Sequence, residues 1–142
     1  MKIKRTLSVL LFSLMPLAAP IAVFAGDPPF QIKWSAKDIG GGDVKVPADS
    51  PTVIAFIRSD QDQSKQALQQ IQSAAKQARV IVILSGPTAQ TAASDIAKDL
   101  PKTWSVVADP EFAASGQMDI HVWPTTLVAK ADGTQVAHLA GM

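Results

Sequence analysis

The 142-residue chain contains no cysteine. That absence removes intramolecular disulfides and thiolate nucleophiles, and it excludes a lipoprotein, which needs a cysteine to acylate. Histidine is scarce as well: His121 and His138 are the only two, and no helical His-x-x-x-His spacing occurs. A metal site needs three or four converging ligands, so carboxylates would have to complete one; no metal ligand and no cofactor is assigned. No Gly-x-Ser-x-Gly elbow sets Ser59, Ser64 or Thr125 beside a base, so hydrolase chemistry has no support. Gly40-Gly41-Gly42 lacks the following lysine and hydroxyl of a phosphate loop and reads as a turn. Internal repeats and low-complexity tracts are missing too. No catalytic residue is assigned.

What is present begins with a segment built for export. Lys2, Lys4 and Arg5 form a basic stretch, Leu7 to Leu14 an apolar core, and Val23-Phe24-Ala25 a cleavage site before Gly26. Residues 1–25 therefore read as a signal peptide and 26–142 as one domain, with periplasmic localisation. The competing reading is an uncleaved membrane anchor. Leu7 to Phe24 spans 18 residues, near the lower limit for a membrane helix, but Pro16 and Pro20 interrupt it. Cleavage changes the charge. Removing three of the 13 cations leaves 10 against 12 acids, a formal −2 in place of +1. The remaining cations are scattered singly, so nucleic-acid binding has no electrostatic basis.

The domain reads as alternating strands and helices. Phe30, Ile32 and Trp34 alternate with polar residues and predict a half-buried strand. The glycine turn separates it from a short strand at Val44–Val46. Thr52–Ile57 and Val80–Leu84 are continuous apolar, β-branched runs, the pattern of central parallel strands covered on both faces. Between them Ala67, Leu68, Ile71, Ala74, Ala75 and Ala78 recur at helical spacing, with Ser59 or Asp60 as the cap. A second helix is predicted from Pro87 to Leu100, stopped by Pro101. Trp104–Ala108 is a further strand. Asp109-Pro110 opens a short helix that Gly116 ends. Thr125–Lys130 and Thr134–Ala140 form a hairpin about Ala131-Asp132-Gly133.

Two of these elements carry a resemblance. Val122-Trp123-Pro124-Thr125-Thr126-Leu127-Val128 with Asp132-Gly133, together with Thr52–Ile57 running into a helix, resembles the thioredoxin-like fold. The branch is that of periplasmic TlpA-like thiol–disulfide oxidoreductases and AhpC/TSA redoxins, matched from about Phe30 to Gly141. The resemblance implies a three-layer α/β/α fold with a central mixed sheet and a cis bond at Pro124. Asp60 falls where that family has tryptophan, Gln61 and Ser64 where it has its two redox cysteines. The family normally continues into a last helix beyond Met142, where this sequence stops: either the chain is a fragment, or something else covers that sheet face, or the face is exposed and expected to support self-association.

Losing both thiols removes the chemistry and leaves the groove. The resemblance implies that an extended protein or peptide partner in the cell envelope lies between the helix start and the cis-proline loop. Asp60, Gln61, Asp62, Ser64, Trp123, Pro124 and Thr125 are the candidate binding residues. Each has a plainer reading. The acids favour a helix N-terminus, and Trp123 either contacts a ligand or fills the space of the missing tryptophan. Trp34 and Trp104 read as core residues. Three functions follow. The first is a redox-inactive binding or scaffolding domain. The second is an oxidoreductase or antioxidant using a partner's thiols or a bound cofactor. The third is a structural subunit docked through the sheet face.

Overall fold

The computed structural model describes residues 30–75 and 77–141. The signal segment and its cleavage site lie outside the described residues. Ten elements follow in order: β1 (Trp34–Lys37), β2 (Asp43–Val46), β3 (Thr52–Arg58), α1 (Asp62–Ala74), β4 (Arg79–Ser85), α2 (Ala89–Ala97), β5 (Ser105–Asp109), α3 (Ala113–Gln117), β6 (Thr125–Ala129) and β7 (Gln135–Ala140). One mixed sheet has the order β5-β4-β3-β6-β7. β3, β4 and β5 are parallel neighbours, and β6 and β7 are added antiparallel.

The continuous apolar runs are explained by two covered faces. Val53, Ala55 and Ile57 of β3 pack with Val80, Val82 and Leu84 of β4 under Leu68 and Ile71 of α1 and Ala89 and Ala93 of α2. The intervening Ile54 and Phe56, with Ile81, Ile83 and Leu127, face Ile32, Trp34, Val44 and Val46 of the N-terminal hairpin region and Ala114 of α3. This is the thioredoxin-like arrangement of helices on both faces of a mixed sheet. Burying a Val, Leu or Ile side chain fully is worth about 1.5–3 kcal/mol, so these two layers carry a cysteine-free fold.

Several expectations are corrected. The first strand begins at Trp34, not Phe30, because the residue opposite Trp34 is Val46. Upstream of it the chain follows the C-terminal hairpin instead: Gln31 bridges Thr134, and Ile32 N–H donates to the Gly133 carbonyl. Phe30 is left exposed. Gly133 sits at φ +92°, and a Cβ there would lie 2.8 Å from the Ile32 carbonyl oxygen, so only glycine lets the two segments touch. Helix α1 ends at Ala74, which is exposed, and Ala78 lies beyond it. α2 starts at Ala89 with Thr88 at its N-cap rather than Pro87, and Leu100 is buried past its end. Gly116 lies inside α3; the left-handed residue that follows the helix is Asp119, at φ 59°. Aspartate tolerates that region better than most residues. Trp34 is buried and Trp104 half-buried, both against the core.

Candidate functional site

The carboxyl ends of β3, β4 and β5 meet the start of α1, the first turn of α3 and the Trp123-Pro124 loop. Ligands of open α/β sheets bind outside the carboxyl ends of strands. Trp123-Pro124 is a cis peptide, as the resemblance implies, and so is Val46-Pro47, which carried no sequence signal.

β3 leaves the sheet at Arg58. Its backbone N–H donates to Ser64 Oγ at 3.0 Å, tying strand end to helix start. Ser64 is buried and its hydroxyl is engaged in this way. Gln61, extended at φ −129° and ψ 126°, is the N-cap of α1, and no side chain caps it. The expected cap from Ser59 or Asp60 is therefore not formed. Ser59 Oγ faces Thr88 Oγ1 at 3.3 Å. The Asp60 carboxylate instead accepts from Arg58 Nε and Nη2, both at 3.1 Å. A two-pronged guanidinium outbids a neutral N–H for a carboxylate. This bond holds the Asp60 carboxyl below its ordinary value. Whatever the pair contributes is present above the usual aspartate range and is lost as pH falls through the lowered value. With Asp60 exposed, that contribution is small. Asp62 stands in the first turn of α1, at the positive end of the helix dipole.

Arg58 is the residue that sequence reasoning missed. Its guanidinium carbon lies 5.7 Å from the Phe112 ring centroid and 5.9 Å from that of Trp123. The two rings meet edge to face at 5.5 Å. A cation over two aromatic faces is a favourable electrostatic arrangement. The available signal was a lone charge ending an apolar strand, two residues before an aspartate. Phe112 reaches the site from a left-handed turn at φ 61° just before α3.

Of the seven expected residues, the structure links Asp60 to Trp123 through Arg58. Pro124 and Thr125 are buried behind Trp123. Thr125 Oγ1 donates to the Val122 carbonyl at 2.7 Å, and the Pro124 carbonyl accepts from Gly141 N–H. Two buried side-chain atoms have no partner among the described residues: the acceptor Gln61 Oε1 and the donor Trp123 Nε1. A recess of about 300 Å³ adjoins the helix start, but it opens on the α1/α2 side. Its walls include Arg58, Gln61, Ser64, Leu68, Ile96 and Leu100. Trp123, Pro124 and Thr125 are not among them. His121 pairs with Asp119 at 2.7 Å on the surface.

Beneath the site lies a buried polar cluster. Asp109 Oδ1 accepts from Ala114 N–H, and Oδ2 accepts from Ser115 N–H, Ser115 Oγ and Ser85 Oγ. Asp109-Pro110 does not open the helix as expected: Asp109 ends β5, and α3 starts at Ala113 with Phe112 at its N-cap. The Asp109 carboxylate reaches the first N–H groups of α3 from the strand end and also binds the end of β4.

Comparison with known proteins follows the fold. No family model matches the chain, and no curated protein matches it. Among solved structures it is similar to the exposed lipoprotein thioredoxin Etrx1 of Streptococcus pneumoniae: TM-score 0.63, 16% identity, covering 78% of this chain and 90% of that one. StoA of Bacillus subtilis gives a TM-score of 0.63 at 20% identity, covering 80% and 90% of the two chains respectively when read as this chain and that one. A secreted Mycobacterium tuberculosis disulfide oxidoreductase homologous to DsbE gives 0.60 at 15% identity, over 73% of this chain and 81% of that one. The fold is thioredoxin-like, its structural neighbours include a thioredoxin and a disulfide oxidoreductase, and this chain carries no cysteine.

Proposed function

We propose that this protein is a redox-inactive thioredoxin-like binding domain of the cell envelope that takes an extended polypeptide at the carboxyl end of its sheet. The export-type N-terminus and the secreted or surface-exposed character of the structural neighbours support the location. The observation that carries the binding reading is the pair of unpartnered atoms, Gln61 Oε1 and Trp123 Nε1. Each is shut off from water, and a buried polar group left unpaired costs about 1–3 kcal/mol. A peptide group offers one carbonyl acceptor and one N–H donor. A segment that shifts the two side chains gains both bonds, and Arg58 with its two rings supplies an anchor beside them.

Selection of a displayed random dodecapeptide library on the purified protein tests this reading. Selected peptides are expected to bind Trp123→Ala and Gln61→Ala about tenfold more weakly, the loss of one or two such bonds. Peptides held equally by wild type and both variants would remove the groove from consideration.

The oxidoreductase reading is favoured by the structural neighbours alone. It requires thiols from a partner. In an insulin-reduction assay with dithiothreitol, the purified protein is expected to leave the reductant's own rate unchanged. Acceleration that survives repurification would restore the enzyme.

A further inference from the structure

The sheet has two edges, and they are treated differently. The outer edge of β5 is met by the N-terminal hairpin region, where Ile39 N–H donates to the Val106 carbonyl. β7 is met only at its start, where Gln31 bridges Thr134 and Gln135 N–H donates to the Phe30 carbonyl. The two residues before Phe30 are Pro28 and Pro29, which have no N–H to add to that ladder. Among the described residues, no strand pairs with the outer side of Val136–Ala140.

An open edge presents a row of unpaired backbone donors and acceptors, and proteins ordinarily blunt it with charge or proline. Gln135–Ala140 contains no Lys, Arg, Asp, Glu or Pro. Its one irregularity, the bulge opposite Val128/Ala129, sits at the strand's beginning. Val136 and Leu139 are exposed at 57% and 43%, high values for apolar residues on a strand. The edge continues into an apolar recess of about 220 Å³ between α1 and the sheet. Leu139 lines it with Val53, Ala67, Ile71, Ala74 and Val128. The polar residues that line it, Gln70 and Thr126, are uncharged.

We infer that β7 is a self-pairing edge, at which a second copy of this chain adds its own β7 antiparallel and continues the sheet. Backbone groups select a strand as the occupant, and an edge without Lys, Arg, Asp or Glu selects a like surface over a charged one: with His138 neutral, two copies meet without like-charge repulsion. A two-fold axis through His138 sets Leu139 of each copy beside Ala137 of the other, both on the recess side, since they oppose Thr126 and Val128 of β6. One short strand and the recess beside it fall below the roughly 1,200 Å² at which stable interfaces begin. The dimer is therefore weak, with a dissociation constant on the order of 10–100 μM. The inference does not depend on the peptide-binding reading, which rests on Gln61 and Trp123 and not on the outer side of β7.

The test uses protein purified from cells expressing the full 142-residue chain, its N-terminus read by mass spectrometry. Sedimentation equilibrium over about 5–500 μM should show the mass rising from one copy toward two and no further. The amides of Val136–Ala140 should exchange more slowly at the high end of that range. Val136→Lys and Leu139→Lys, both at exposed positions, should weaken association at least about tenfold by charging the edge, with thermal melting unchanged. Ser35→Lys, on the exposed side of β1, should leave it intact. A monomer throughout the range overturns the inference. So does association that both edge lysines leave unaltered, or recovery of β7 paired with a strand of another protein in place of itself.

Discussion

Asp109→Ala is expected to lower unfolding free energy by about 3–5 kcal/mol, because it strands two backbone donors in the interior. The carboxylate is 4% exposed and accepts four hydrogen bonds, at 3.0 and 3.2 Å from Ala114 and Ser115 N–H and at 2.9 and 3.3 Å from Ser115 and Ser85 hydroxyls. Alanine removes all four. The two hydroxyls keep each other, 2.9 Å apart, but the two N–H groups, on buried residues, have no other acceptor among the described residues. Bonds to a charged acceptor contribute about 1.5–3 kcal/mol each. A domain of this size loses roughly 4–8 °C per kcal/mol, so the melting midpoint should fall by at least about 12 °C. Asp109→Asn keeps one oxygen acceptor and should lose about half as much. Urea unfolding with an unchanged m value checks both. A loss under about 1 kcal/mol for alanine would sink the cluster's structural role. The effect should also reach the site, because Asp109 fixes the turn that carries Phe112 against Trp123 and Arg58.

The second large effect is a gain. Gln61→Cys with Ser64→Cys should yield a disulfide-forming pair. Gln61 is the N-cap of α1 and Ser64 lies in its first turn. Three residues apart at a helix start, the two Cα atoms come within the separation a disulfide needs. The thiol at position 61 should be acidified by the helix dipole. Asp60 and Asp62 oppose that shift, and Arg58 offsets Asp60 because it already holds that carboxylate. Replacing both acids with Asn should therefore lower the thiol pKa further. The substitution at 64 has a cost: it removes the hydroxyl that accepts from Arg58 N–H, about 1 kcal/mol. Mass spectrometry of the oxidised protein decides the matter. Two free thiols in a folded protein under oxidising conditions would show that Gln61 and Ser64 do not occupy the two cysteine positions.

How much of this was legible follows from what periodicity can see. Thr52–Ile57 and Val80–Leu84 announced a doubly covered sheet because every residue in them had to be apolar. The C-terminal hairpin was legible from Asp132-Gly133. The strand at Phe30–Trp34 was misplaced because alternation reports a half-buried extended segment and says nothing of its partner. Here Ile32 is buried against the Gly133 turn, and the ladder with β2 starts only at Trp34. Helix ends inside alanine-rich or glycine-containing stretches were likewise not marked. At the site, Gln61, Trp123 and Pro124 could be named through the resemblance to the thioredoxin-like fold. Arg58, Phe112 and the Ser85–Asp109–Ser115 cluster could not. Their meeting is set by β3, β4 and β5 ending side by side, which no local pattern encodes.

The hydrogen bond from Ile39 to Val106 has a consequence for the size any assembly can reach. A sheet open at both sides can add molecules head to tail without limit, and non-closing contacts of that kind make fibres. Here one side is met by the molecule's own hairpin region. Among the described residues the other free side is that of β7, so the inferred pairing through β7 would close the sheet at two copies. On the inferred pairing, one turn folded against the far strand sets the limit of growth.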